Sequence, residues 1–506
     1  MLTSLPGTQW LTQTWNKGHL LSIRRQTPSS PLTSPISILF PELLLSIFEL
    51  IPFLWQPDEP SRFYDINWIA ITHVCRRWRI IALNAPFLWR DIEFSTPRWT
   101  QEMLLRSQSI PINIRFHLDF LKYPPTMQKV IALAMGNIQR VRSLRLTGQV
   151  VETLIQCTTP ALLLEELHLE YAAMPPPANL FIPDSLFDGS AHKLRSLFLK
   201  GLSIHLTSPL LPGLSSLTVQ GDSRSPRHSL ARWLDALTRM PKLETLCLIQ
   251  ALSRTSHAQT QGTDTPLPPT VLLPHLRTLA FTSNSLTDCV EFTRRLAIPS
   301  STSIELRTYV ASIDELTPHA IVPSYAHTPV TAFRITHTAI GFSIAGSLGD
   351  PDIPAFSLSI VIYEERSLIA QGILHTLAHF NVKSVRSLLI DLGGMTLDWA
   401  PVLSCFPLVN TIHVRGSTLH TFPKALAHSD ALICPHLRRL EFEHRTPTYG
   451  KRIDETFFRI LRDAVDARWA NGMSLEELIV FGETLSHSGS VDTAAIGSRK
   501  IPKKYL

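Results

Sequence analysis

Histidine and cysteine are the side chains in this sequence with the most chemistry to offer, and neither is arranged to perform it. The 20 histidines are scattered. His375 and His379 share the i, i+4 spacing of a helical zinc site, but no glutamate follows the first histidine to act as general base. Cys75, Cys157, Cys247, Cys289, Cys405 and Cys434 lie far apart, with no CxxC pair and no metal-ligand spacing, so free thiols in a reducing compartment are expected. The sequence contains no HExxH, no phosphate-cradling GxxxxGK[ST], no GxGxxG and no GxSxG nucleophile elbow. No catalytic residue, cofactor site or metal site is assigned, and the expected role is binding without catalysis.

Composition points the same way. Of 506 residues, 44% are hydrophobic and 17% charged, which is the balance of a folded globular chain. The net charge of +6 is spread without long Lys/Arg blocks, so nucleic acid is not an expected partner. No run of about 18 apolar residues is present, and the first residues lack a secretory signal, so a membrane is not an expected partner either. Residues 1–35 read as a disordered leader rich in Pro, Ser and Thr; the absence of acidic residues before position 42 is a feature shared with organelle transit peptides. Residues 486–506 read as a flexible tail.

Two regions carry a clear pattern. In the first, apolar positions 43, 44, 47, 48 and 51 predict a short amphipathic helix, with Pro41 and Glu42 in its first turn. Pro52 and the turn-forming stretch 56–61 are expected to end it. A second helix is predicted over Asn67 to Leu83, with Ile71, Val74, Cys75, Trp78, Ile81 and Ala82 on one face and Arg76, Arg77 and Arg79 on the other. Asn84-Ala85-Pro86 stops it, and Phe87, Leu88 and Trp89 supply apolar bulk to close a small core ending near Phe94.

The second region repeats L-x-x-L-x-L. The copies are Val141/Leu144/Leu146, Leu164/Leu167/Leu169, Leu194/Leu197/Leu199, Leu214/Leu217/Val219, Leu243/Leu246/Leu248 and Leu276/Leu279/Phe281. Four more follow at Val385/Leu388/Ile390, Val409/Ile412/Val414, Leu437/Leu440/Phe442 and Leu475/Leu478/Val480. The first six are spaced by 23, 30, 20, 29 and 33 residues, around the period of about 20 to 29 that leucine-rich repeats use. Leu306, Phe333 and Ile360 fall at even steps between 279 and 388 and suggest degenerate copies there. Alternate residues of each short strand are expected to point inward and stack as a ladder. Pro212, Pro241, Pro274, Pro407 and Pro435 precede strands, and Leu230 to Arg239 reads as a connecting helix with Ala231, Leu234, Leu237 and Trp233 on one side.

The run Phe40-Pro41-Glu42-Leu43-Leu44 with Ile47-Phe48, then Val74-Cys75-Arg76-Arg77-Trp78-Arg79, then Ala85-Pro86-Phe87-Leu88-Trp89, resembles the F-box of fungal, basidiomycete-type F-box proteins. The resemblance covers residues 36–94. Many members of that family carry leucine-rich repeats after the F-box, as the order here suggests. The resemblance implies a three-helix module docking on a Skp-family adaptor, and through it a cullin, with the ubiquitin-transfer chemistry in other subunits. Carried over position by position, the adaptor contacts are Pro41, Leu43, Leu44, Ile47, Phe48, Val74, Cys75, Trp78 and Leu88; Cys75 and Trp78 fit the module's own core equally well. Two departures stand out: the leucine–proline opening is replaced by Leu39-Phe40-Pro41, and residues 52–65 read as an insertion.

The expected fold is therefore α+β and repetitive: a small three-helix F-box, then over residues 95–485 an irregular α/β leucine-rich-repeat solenoid with a parallel sheet on its concave face. The residues between the ladder leucines are expected on that face. They include Arg145, His168, Phe198, Lys200, Ile249, Leu389, His413, Arg415, Glu441, Ile479 and Phe481 as candidate substrate contacts. The function implied is substrate recognition for an SCF-type (Skp–cullin–F-box) ubiquitin ligase in the cytoplasm, the nucleus or both. The alternative is a non-catalytic repeat scaffold whose F-box has decayed.

Overall fold

The computed structural model describes most residues between 35 and 481. Residues 1–34, 55–65, 118–124, 172–179, 254–269, 311–329, 349–353, 363–366, 392–397, 417–420, 428–432, 445–454 and 482–506, with several shorter stretches, lie outside the described residues, and the expected leader and tail fall among them. The chain divides into two units, one of residues 1–55 and 67–84, the other of residues 56–66 and 85–506.

The smaller unit is helical. Helix α1 (Pro41–Leu54) starts where the Leu43 and Leu44 amides donate to the Phe40 carbonyl, with Glu42 in the first turn to favour the positive end of the helix dipole. It runs on through Pro52, beyond the stop expected there. Pro52 has no N–H to offer the Phe48 carbonyl, so one helical bond is missing in the last turn. The single second helix expected over residues 67–83 is broken into a 3-10 turn (Ile66–Ala70), α2 (Ile71–Val74) and α3 (Arg76–Leu83). The break falls at Cys75, whose backbone is extended (φ −157°, ψ 168°) and whose Sγ accepts from the Trp78 amide at 3.5 Å as an N-cap. The core of the unit is Leu44 and Phe48 from α1, both fully buried, with Trp68, Ile71 and Ala82. Phe48 and Trp78 meet with ring centroids 4.9 Å apart. Each fully buried Leu or Phe contributes roughly 1.5–3 kcal/mol.

The larger unit is built on one long, mostly parallel sheet of 16 strands with helices between them. In chain order these are β1 (Asp91–Ile92), β2 (Ile112–His117), β3 (Val141–Thr147), β4 (Glu166–Glu170), β5 (Ser196–Lys200), β6 (Ser216–Gln220), β7 (Thr245–Ile249) and β8 (Thr278–Ser283). The rest are β9 (Ser303–Val310), β10 (Ala332–Thr338), β11 (Gly341–Ser347), β12 (Phe356–Ile362), β13 (Ser387–Asp391), β14 (Thr411–Gly416), β15 (Arg439–His444) and β16 (Glu477–Phe481). Every L-x-x-L-x-L copy places its second and third apolar residues on a strand. From Leu144 to Leu279 those residues stand in register across β3 to β8 and are buried.

The first apolar residue of the copy has a different task. Its amide closes a turn onto the carbonyl three residues earlier, as in Leu214 to Leu211 and Leu276 to Leu273 (both 3.2 Å) or Val409 to Phe406 (3.3 Å). Pro212, Pro274 and Pro407 occupy the second position of these turns, where their fixed φ suits the geometry. Ala161 and Ala191 begin the same turn without proline. The residue that opens the turn is buried in each case, so the structural unit is one turn longer than the leucine motif.

Helices cover the leucine side of the sheet: α4 (Val150–Ile155) packs on β3, and α6 (Leu286–Arg294) on β8 and β9. The helix expected at 230–239 is α5 (Leu230–Thr238), capped by the Ser229 hydroxyl. It buries Trp233, Leu234, Ala236 and Leu237 but leaves Ala231 exposed, because the large indole takes the inward position.

Two expectations are corrected. Leu306, Phe333 and Ile360 do lie on strands, but not as successive parallel copies: the sheet order is β9-β12-β11-β10-β13, with β11 antiparallel to both neighbours. Two residues separate β10 from β11, too few for a parallel crossover. Gly341 and Gly346 permit the close packing, since a Cβ at Gly341 would stand 2.1 Å from the Ile360 carbonyl oxygen. The segment after Asn84 also differs from expectation. Ala85 onward belongs to the sheet unit, where Trp89 is buried against Trp99 (centroids 5.9 Å) and under the Arg106 guanidinium (5.0 Å), and β1 opens the sheet.

Candidate functional site

On the helical unit, the residues proposed for the adaptor separate by exposure. Leu43 is 51% exposed, Ile47 39% and Val74 61%; Pro41 and Cys75 are also exposed. Leu44 and Phe48 are fully buried, and Trp78 is half-buried against Phe48. Leu88 is buried and belongs to the sheet unit. The helix geometry explains the split: Leu43, Ile47 and Leu50 recur at i, i+4 and i+7 on one line about 10 Å long, while Leu44 and Phe48 lie one position round, facing α3. Ile38, Phe40, Leu50 and Ile80 are exposed apolar residues that were not assigned; Leu50 was legible as the next turn of the Leu43–Ile47 stripe. Arg77 donates to the Leu39 carbonyl, tying the start of the unit to α3.

On the sheet, the face opposite the leucines carries the other candidates. Arg145, His168 and Phe198 are direct neighbours across β3, β4 and β5, and Arg115 on β2 extends the row. His168 and Phe198 stack face to face, with centroids 3.9 Å apart and planes at 5°. Burial pushes the His168 imidazole down to about 4, with Arg145 acting in the same direction, so the ring is neutral at ordinary pH. Lys200 pairs with Glu170 at 2.5 Å, and Arg145 with Glu166 at 3.4 Å.

The row continues through Thr218 on β6, Cys247 on β7 and Ala280 on β8, with Ile249 one pleat further along β7, and reaches the charged Glu305 and Arg307 on β9. Burial, then the Glu305 carboxylate, pushes the Cys247 thiol up to about 11, so it is protonated at ordinary pH. A second cluster of charge lies on β13 to β16. Leu389, His413, Glu441 and Ile479 stand side by side, and Ile479 is buried. His413 lies between Glu441 (3.7 Å) and Glu443 (3.3 Å); Arg415 pairs with Glu443 at 2.8 Å, and Arg439 with Glu441 at 2.5 Å and Glu477 at 3.0 Å. Burial, then Arg415, lowers the His413 pKa. Phe481 lies on β16, but its side chain is outside the described residues.

The structure thus brings Arg145, His168, Phe198 and Lys200 together at one end of the face and Leu389, His413, Arg415 and Glu441 at the other, with Ile249 between them. Arg115 was missed because β2 has no leucine motif; its signal was the alternation of Ile112, Ile114 and Phe116.

Known proteins add no assignment. No family model matches the chain, and no curated protein matches it. Among the described residues, no group of three or more His, Cys, Asp or Glu side chains is placed to hold a metal ion, and no helix is long and apolar enough to cross a membrane.

Proposed function

We propose that this chain is the substrate-recognition subunit of an SCF-type ubiquitin ligase, in which α1 to α3 form an F-box that docks on a Skp-family adaptor. Through that adaptor it reaches a cullin, and the sheet, read as the concave face of a leucine-rich-repeat solenoid, holds a protein substrate. On this reading the chain is not an enzyme, needs no cofactor, and works in the cytoplasm or nucleus. The observation that carries the reading is the apolar stripe Leu43–Ile47–Leu50, solvent-exposed on α1, with Val74 of α2 exposed as well. A small helical unit that leaves such side chains in water has a surface suited to a protein partner.

The test is capture of a Skp-family adaptor by the full-length chain, beside a Leu43→Asp/Ile47→Asp double variant. Both residues are exposed, so the variant keeps its fold while charge enters the docking stripe. Capture by the wild type and its loss in the folded variant support the reading; no capture by the wild type overturns it. A second reading, a repeat scaffold with a decayed F-box, is favoured by the burial of Leu44, Phe48 and Leu88, which leaves a smaller docking surface than the motif implies. It predicts no adaptor capture.

A further inference from the structure

The two ends of the open sheet face differ in sign. Around the His168–Phe198 stack the open face carries Arg115, Arg145 and Lys200 against Glu166 and Glu170. Around His413 it carries Arg415 and Arg439 against Glu441, Glu443 and Glu477. The N-terminal end also offers an uncharged aromatic platform in the stacked His168–Phe198 pair. Arg115 and Phe198 are three strand spacings apart, about 14 Å, which is the span of four to five extended residues.

We infer that the open face of β2 to β5 is the docking site for an acidic peptide segment of a partner protein, whose carboxylates face Arg115, Arg145 and Lys200 and whose apolar side chain rests on His168 and Phe198. The side chains of Arg145 and Lys200 are 47% and 50% exposed, beside 49% for Glu166 and 24% for Glu170, so both cations are open to an incoming chain. Their bonds to Glu166 and Glu170 are exposed enough to be shared with a ligand carboxylate. The inference rests on the substrate-holding role given above to the sheet face and names the class of substrate segment it takes.

The test uses the full-length chain and a short fluorescein-labelled peptide alternating Glu and Phe, with its Lys/Phe counterpart as control, followed by anisotropy at low and high salt. The Glu/Phe peptide is expected to bind, weakening with salt, and to lose about tenfold or more in Arg145→Gln/Lys200→Met. Phe198→Ala should weaken it as well, while Arg415→Gln at the far end should leave it unchanged. Thermal unfolding of each variant establishes that the fold is kept. No binding of the Glu/Phe peptide, equal binding of the Lys/Phe peptide, or equal loss in Arg415→Gln would overturn the inference. Adaptor capture is read separately on the same variants: its absence sinks the ligase reading, whereas capture without acidic-peptide binding sinks this inference alone.

Discussion

The helical unit and the open sheet face solve the problem of an exposed surface in opposite ways. The helical unit leaves Leu43, Ile47, Leu50 and Val74 in water, whereas the described sheet face sets cations beside carboxylates, as in Lys200 with Glu170 and Arg415 with Glu443. An apolar stripe gains free energy only when covered, so its partner is expected to bind firmly through desolvation. A charge-paired face is stable uncovered and selects by sign and position more than by area. One surface is suited to a constant partner and the other to a changeable one.

The sharpest way to break the comparison is to place the same charge on the two sides of α1. Leu44→Asp buries a carboxylate in the unit's core and is expected to unfold α1 to α3, seen as lost hydrogen-exchange protection there, while Ile47→Asp leaves protection in place. Equal effects would mean that the two sides of α1 are not distinct. In the sheet, Leu246→Ala on the buried side should cost about 2–5 kcal/mol by denaturant unfolding. Thr218→Ala on the open side should stay within about 0.5 kcal/mol.

A smaller effect is expected from pH. His168 has its pKa below the ordinary 6.5, so the unfolded chain takes up the proton first as pH falls. The stability that goes with the neutral ring is complete above pH 6.5 and is lost as pH falls toward about 4. Solvent screening of the partly exposed ring holds the loss to about 1–2 kcal/mol, and His168→Gln should remove it from the stability–pH profile. A profile unchanged by the substitution would place the acid sensitivity elsewhere. A similarly small effect belongs to Lys200→Met, expected to change stability by about 0–1 kcal/mol despite its short ion pair, because the pair is exposed.

How far the fold could be read varied with how local the cause was. The turn–strand unit was visible wherever a leucine ladder and a preceding proline coincided, as at Pro274, Leu276 and Leu279, because turn and strand are set by neighbouring residues. The reversed order of β10 to β12 was not visible. Phe333 and Ile360 sit at the right spacing for further repeats, and only the pairing partners of those strands show that they belong to an antiparallel insertion. Of the adaptor candidates, periodicity identified the apolar positions of α1 but could not say that Leu43 faces water and Leu44 the core, since both fit an amphipathic helix.

The sequence by itself determined the division into a helical segment and a strand-repeating segment, because hydrophobic periods near 3.6 and 2 are properties of the chain alone. It also determined the absence of recognisable catalytic motifs and the alternation that sends Arg145, His168 and Phe198 to the side opposite the leucines. Tertiary structure decided which strands became neighbours. That choice alone stacked His168 on Phe198, enclosed His413 between two glutamates and moved Ala85 to Phe94 into the sheet unit. Contacts between residues far apart in the chain depend on the register and order in which strands pair, and no local pattern of side chains specifies that order.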